Sequence, residues 1–385
     1  MKRLAVVATH PVQYNAPIFR MLSAIGKLDL KVFYTWFQAK EQVFDPGFGK
    51  VITWDIPLLE GYSYLFTRNK TATIGPKTFW SIQNPELIKE IEDYNPDAIL
   101  VIGWNYYSHL QVMRHFNGKV PVLFRGDSTL LNDKKGIKKQ LRRLVLRQIY
   151  RYVDFALFVG SQNKAYYLEH GLKPEQLIFA PHAIENNRFS SDIDGEADLW
   201  AKNNLTRLGI PAAAKVFLYA GKLESVKNPE LLLKAFAAPA IDAHLILVGN
   251  GQLEFKLKSK YKNCAKVHYM DFQNQTLMPA VYRMADVFVL GSDSETWGLA
   301  VNEAMACGKA VLVSDKVGCA IDLVQPGVNG FIFEAGSIDS LQEKLHLLSS
   351  MTKAELSYMG KASALKIQDW NYDKICVAVE ELLKG

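Results

Sequence analysis

Short, continuous apolar runs alternate with amphipathic segments along almost the whole chain, and this rhythm limits the fold more than any other feature. The first half carries Leu4–Ala8, Asp29–Trp36, Ala98–Gly103, Val120–Arg125, Phe155–Gly160 and Leu177–Ala180. The second repeats the pattern with Val216–Gly221, His244–Gly249, Lys266–Met270, Val287–Gly291, Ala310–Ser314 and Gly330–Phe333. Strands apolar on both faces belong in parallel sheets covered by helices on both sides. The expected fold is therefore α/β, with two doubly wound, Rossmann-like domains facing across a cleft. A length of 385 residues suits two domains. Their expected bounds are 1–195 and 196–365, and residues 366–385 form a final helix packing back toward the first domain. The polar stretch Ser190–Asn204, with Asp192, Asp194, Glu196 and Asp198, reads as the linker.

Composition excludes several classes. With 49% hydrophobic and 22% charged residues the chain is neither disordered nor fibrous. Four cysteines without C-x-x-C spacing read as buried thiols of a reducing compartment. Five apolar residues after Met1-Lys2-Arg3 are too few for a secretory leader, and nothing approaches a membrane span. A cytoplasmic protein is expected. The net charge of +6 sits in one segment: Lys134 to Arg151 holds eight basic residues and no acid, and the remainder carries 37 basic and 39 acidic residues. Within it Ile137, Leu141, Leu144, Val145, Ile149 and Tyr152 form a helical apolar stripe with the basic residues on the complementary face. One reading packs the stripe on the core and leaves the charges solvated. The other places the segment against an anionic membrane surface, on the inner face of the cell membrane. No nucleic-acid motif accompanies it, so nucleic acid is not an expected partner.

Ligands of open parallel sheets bind beyond the carboxyl ends of the strands, and three loops there suit a phosphorylated ligand. Gly221-Lys222 to Lys227 offers a tight turn and two ammonium groups able to converge on one anion. Gly249-Asn250-Gly251 is a turn that admits close backbone approach. Gly291 to Ala304 follows a buried strand and opens a helix whose first amides attract anions. Glu295 and Glu303 flank that helix start, suited to accepting hydrogen bonds from sugar hydroxyls, or else serving as a cap and a solvated helix glutamate.

The stretch S-E-T-W-G-L-A-V-N-E-A-M-A-C-G-K-A-V-L-V-S-D and the G-x3-D-L-V-x-P-G-x-N-G-F-I-F of Gly318 to Phe333 resemble the nucleotide-sugar site of retaining GT-B glycosyltransferases of family 4. G-K-L-E-S-V-K-N and A-D-V-F-V-L-G-S upstream are similar to that family too, so the resemblance spans about 120 residues, Val216 to Phe333. It implies a nucleotide-sugar domain at 196–365 and an acceptor domain at 1–195. It places Lys222 and Lys227 on the donor diphosphate, Glu303 on the ribose hydroxyls and Glu295 on the transferred sugar. Gly221, Gly249 and the amides around Trp297, Gly298 and Leu299 complete the donor site. Lys222 stands where the family has Arg, keeping the charge without the bidentate fork.

The first half departs from the family pattern, which has a glycine-rich turn after the first strand and a histidine after the fourth. His10 and His109 are candidates by position, His182 stands where Asn is common, and Arg125 and Asp127 lie at a strand's carboxyl end as acceptor or phosphate contacts or an internal ion pair. No carboxylate nucleophile or D-x-D metal pair after a strand is visible. The expectation is a metal-independent, front-face, retaining hexosyl transfer from a nucleoside diphosphate sugar to a sugar or lipid-linked acceptor, in cell-surface polysaccharide or glycolipid synthesis, with no cofactor beyond the donor. A nucleotide-sugar 2-epimerase of the same architecture and a non-catalytic sugar-nucleotide-binding protein stay open.

Overall fold

The computed structural model describes residues 1–36, 43–45, 48, 50–71, 78–133, 136–192, 194–238 and 241–384. Lys134 and Lys135 of the basic run, and Ile193 of the expected linker, lie outside these residues. The chain divides into two compact units, one of Met1–Val43, Ile56–His182 and Tyr372–Gly385, the other of Phe44–Asp55 and Ala183–Asn371.

In chain order the first strands are β1 (Lys2–Ala8), β2 (Leu28–Tyr34), β3 (Val43–Asp45), β4 (Lys50–Ile52), β5 (Ser63–Phe66), β6 (Ala98–Ile102), β7 (Val122–Arg125), β8 (Phe155–Phe158) and β9 (Leu177–Phe179). The seven-stranded sheet of the first unit runs β5-β2-β1-β6-β7-β8-β9, all parallel, while β3 and β4 form a separate pair. Strand β5 was not legible in the sequence: its side chains are exposed or half-buried, as an edge strand's can be, and its apolar run is only Tyr64 to Phe66. The final helix, Tyr372–Lys384, belongs to this unit and packs on helix Ala16–Ala24, with Glu380 accepting from Lys27 at 3.3 Å.

The second unit holds β10 (Val216–Ala220), β11 (His244–Val248), β12 (Val267–Met270), β13 (Val287–Leu290), β14 (Ala310–Ser314) and β15 (Gly330–Phe333). Their order, β12-β11-β10-β13-β14-β15, reverses direction between β10 and β13. A doubly wound sheet binds ligands at that switch point. The central strands are buried on both faces, as their aliphatic and aromatic content requires: every residue of β10, β13 and β14 is below a tenth exposed.

The structure corrects two expectations. Ser190–Asn204 is not an open linker, because Glu196–Arg207 is helical. Asp192 caps that helix by accepting from the amides of Ala197 and Asp198 at 3.1 and 2.9 Å, and Asp198 pairs with Arg283 at 3.1 Å. The apolar stripe of the basic segment packs on the core only at its end, through Ile149 and Tyr152. Helix Ile137–Tyr150 meets the core through Leu146, Ile149 and Tyr150, while Ile137, Leu141, Leu144 and Val145 are 57 to 76% exposed. These four project on the side opposite Leu146, with Lys138 and Arg147 exposed beside them. All four cysteines are free; Cys319 and Cys376 are buried, whereas Cys264 and Cys307 are half-buried.

Candidate functional site

The loops leaving β10 and β13 meet at the switch point of the second sheet. After β10 the chain passes Gly221 and Lys222 into a 3-10 turn, Ser225–Lys227, and Asn228 adopts a left-handed φ of 46° before helix Pro229–Phe236. After β13 it runs through Ser292 to Gly298, which opens helix Leu299–Ala306 at a φ of +99°. A side chain at Gly298 would also press within 2.9 Å of Val317, so glycine is required there. The two loops are tied together: Asp293 donates its amide to the Val226 carbonyl at 2.9 Å, and Asn228 Nδ2 donates to the Asp293 carboxylate at 3.1 Å. The Lys227 ammonium forms an ion pair with Glu295, both side chains mostly buried. Lys222 places its ammonium 5.0 Å from the ring centroid of Phe48. Ammonium, carboxylate and the leading amides of one helix thus share one strand-end site, the composition needed to hold a diphosphate beside hydroxyls.

Glu303 is not the solvated helix glutamate of the simpler reading. It is 3% exposed, on the second turn of the helix, and accepts from the Tyr282 hydroxyl at 2.7 Å. A carboxylate drawn out of water needs such donors. Tyr282, from helix Met278–Arg283, carried no sequence signal for this role. Trp297 is likewise interior, its indole N–H donating to Asn302 Oδ1 at 2.9 Å, so it anchors the turn that presents the amides of Gly298 and Leu299.

The glycines of the first two loops serve packing. A Cβ on Gly249, at a φ of +130°, would lie 2.1 Å from the Gly221 carbonyl oxygen, and one on Gly251 would lie 2.6 Å from that of Leu223. The β11 loop therefore rests backbone on backbone against the lysine loop. Gly221 does not take the left-handed conformation; its constraint is the Tyr219 hydroxyl, 3.2 Å from where a Cβ would stand. That hydroxyl donates to the Lys222 carbonyl at 2.6 Å and fixes the loop.

In the first unit the candidates fall into two groups. Arg125, Asp127 and His182 come together at the ends of β7 and β9. Arg125 is 5% exposed and donates to the carbonyls of Ala180 and Pro181 at 2.7 and 3.0 Å. It is a clamp on the chain ahead of His182, rather than an open phosphate contact. Burial lowers its guanidinium to about 10, with Tyr167 and Asp127 opposing, and it stays cationic at neutral pH. Burial first, then the Arg125 charge, holds His182 neutral. His10 stands half-buried after β1, edge-on to Trp36 at 5.5 Å, and burial lowers its pKa.

His109 is a core residue, which corrects the expectation that it could contact a ligand. It has no exposed surface; its Nδ1 donates to the Gly103 carbonyl at 2.8 Å and its Nε2 accepts from Thr35 Oγ1 at 2.9 Å. Burial lowers its pKa to about 4, against the hydrogen bond to Gly103. Between that value and the unfolded value near 6.5 the unfolded chain binds a proton that the folded chain does not. Acidification through this window is expected to remove on the order of 3 kcal/mol of stability through this residue. Urea unfolding across the window should show His109→Gln losing much of that pH dependence.

Two parallel Rossmann-like sheets, one with the reversal between β10 and β13, make the GT-B architecture of glycosyltransferases. Residues 202–364 match the family described as Glycosyl transferases group 1. Over 178 residues the chain is 30% identical to a D-inositol 3-phosphate glycosyltransferase of Arthrobacter sp., covering 44% of this chain and 42% of that protein. It is 25% identical over 254 residues to an N,N'-diacetylbacillosaminyl-diphospho-undecaprenol alpha-1,3-N-acetylgalactosaminyltransferase of Campylobacter jejuni, covering 63% of this chain and 64% of that protein. The chain thus spans less than two thirds of the length of either relative. The structure of Anabaena HepE in complex with UDP and glucose matches with a TM-score of 0.73 at 17% identity, covering 100% of both chains. Among the described residues no cluster of three or more His, Cys, Asp or Glu side chains is placed to hold a metal ion.

Proposed function

We propose that the chain is a retaining glycosyltransferase that moves a hexosyl group from a nucleoside diphosphate sugar to an acceptor hydroxyl. The observation that carries this reading is the Lys227–Glu295 pair at the β10/β13 switch point, against the start of helix Leu299–Ala306. In the ligand-free site each charge neutralises the other. An entering diphosphate takes over the ammonium, and the released Glu295 carboxylate accepts hydroxyls of the donor sugar. Lys222, Lys227 and the amides of Gly298 and Leu299 then face the charge that grows on the leaving diphosphate, where fixed positive groups accelerate transfer. Glu303, oriented by Tyr282, takes the ribose hydroxyls. The leaving diphosphate itself removes the acceptor proton, so sugar is delivered to the face the nucleotide leaves, and no metal is needed to balance its charge. HepE's complex with UDP and glucose supports a uridine donor. Incubation with UDP-, GDP- and ADP-sugars, following nucleoside diphosphate release, tests the activity; conversion of donor into an epimer without acceptor would make it an epimerase instead.

The acceptor in this reading is sugar or lipid-linked, used in polysaccharide or glycolipid assembly at the inner face of the membrane. The undecaprenol-linked substrate in the name of the Campylobacter relative supports this, as does helix Ile137–Tyr150. Its outward Ile137, Leu141, Leu144 and Val145 with flanking Lys138 and Arg147 have the form of a helix lying in a headgroup layer. Vesicles of phosphatidylglycerol are expected to capture the protein at low salt and release it at high salt, and the double change Leu141→Asp, Leu144→Asp to abolish capture. Equal capture on neutral vesicles would remove the anionic headgroups from this reading, and no capture on either would remove the membrane.

A further inference from the structure

An exposed aromatic stack stands at the carboxyl end of the first unit's sheet, and no step of the proposed transfer uses it. Trp80 is 59% exposed, among the most exposed large apolar side chains described. Its ring lies on Tyr107, with centroids 5.1 Å apart and planes 29° apart, and Phe79 meets it edge-on at 5.0 Å. With one face laid on Tyr107, the indole offers its other face and rim to solvent.

The backbone beneath the stack is held by a network of hydrogen bonds. Ser81 closes a capping box with Thr78, its hydroxyl accepting from the Thr78 amide at 2.9 Å. Asn69 Nδ2 donates to the Ser81 carbonyl at 3.0 Å, and Gln83 Nε2 to the Trp80 carbonyl at 3.0 Å. Asn84 Nδ2 reaches the carbonyls of Thr35 and Arg68, at 2.9 and 3.0 Å, beyond the carboxyl ends of β2 and β5. Tyr107 begins the helix that follows β6, and Ser108 Oγ accepts from the Asn84 amide at 2.7 Å. The platform therefore lies on the sheet edge where a doubly wound fold binds its ligands. These bonds fix the backbone that carries Trp80, and its stacking on Tyr107 restrains the indole; a restrained aromatic side chain loses little freedom on binding.

We propose that Trp80, backed by Tyr107, is a stacking platform for a pyranose ring of the acceptor. A pyranose presents an apolar face of C–H bonds that matches an indole face, while its hydroxyls point to the rim and water. The inference rests on the chain being a glycosyltransferase and adds where the acceptor sugar sits.

Saturation-transfer NMR with methyl α-glucoside, methyl α-galactoside, methyl α-mannoside and N-acetylglucosamine tests it, with UDP binding measured by calorimetry on the same samples. At least one glycoside is expected to receive saturation on its ring protons, to bind about tenfold more weakly to Trp80→Ala, and to bind Trp80→Phe with an intermediate loss. UDP affinity should be the same in all three proteins, and an unchanged circular-dichroism melt of each variant certifies that the first unit, which carries Trp80, still folds. Equal glycoside binding by Trp80→Ala overturns the platform, as does absence of glycoside binding in a protein that binds UDP. Loss of phosphatidylglycerol capture in Trp80→Ala with glycoside binding unchanged also overturns it, and makes the stack a membrane contact. If UDP fails to bind while glycoside binding still depends on Trp80, the donor reading falls and the platform stands.

Discussion

Lys227→Ala is expected to lower turnover about 10²–10³-fold, the range for removing one fixed group that meets charge developing in a transition state. The side chain is mostly buried and already desolvated beside Glu295, so its charge is screened little by solvent. Two things change in the variant. The leaving diphosphate loses its nearest ammonium, and the Glu295 carboxylate, left without its cation, faces an incoming polyanion. The first lowers turnover because diphosphate charge is greatest as the glycosidic bond breaks. The second weakens donor binding. Initial rates of nucleoside diphosphate release at saturating donor separate the two, and the larger loss should fall on turnover. Lys227→Arg restores charge but spreads it over a planar fork, and is expected to recover only part of the rate.

Gly249→Ala is expected to destabilise the second unit by about 3 kcal/mol, lowering its unfolding midpoint by about 10 °C. Two costs add. The alanine would hold a φ of +130°, a region that L side chains avoid, and its Cβ would stand 2.1 Å from the Gly221 carbonyl oxygen, where no real contact exists. Relief requires the β11 loop to move away from the Gly221–Leu223 loop. That loop carries Lys222, so donor affinity should fall together with stability. Differential scanning calorimetry with a UDP titration on the folded fraction reads both. A midpoint unchanged by the alanine would mean that the loops do not pack backbone on backbone.

The sheet architecture was legible because burial on both faces leaves a mark that polar spacing cannot imitate. In runs such as Leu245 to Val248 or Val311 to Val313 every side chain is apolar and the next residue is Gly or polar, so neither an amphipathic helix nor a half-exposed strand competes. The same logic fails at β5, whose edge position leaves its side chains partly in water. It fails again at helix Ile137–Tyr150, where packing the aliphatic stripe on the core is the simplest expectation, yet Ile137, Leu141, Leu144 and Val145 face outward. Periodicity identifies an apolar face without saying what covers it. In the site, the residue types and their loops were readable from order along the chain. Their partners were not, because Glu303–Tyr282 and Lys227–Glu295 join positions 21 and 68 residues apart. Arg125 shows the other side of this, since a strand-end arginine reads equally as a ligand contact or an internal partner, and only the fold reveals that it donates to the Ala180 and Pro181 carbonyls.

If the β10/β13 loops grip a diphosphate, calorimetric titration of UDP and GDP into the full chain measures that grip directly. The expected result is one saturable site for at least one of the two nucleotides. Its affinity should fall at least about tenfold when Lys222 and Lys227 are both changed to alanine, on the order expected for losing two charge-assisted contacts. Undiminished nucleotide affinity in the doubly changed protein would contradict the diphosphate assignment.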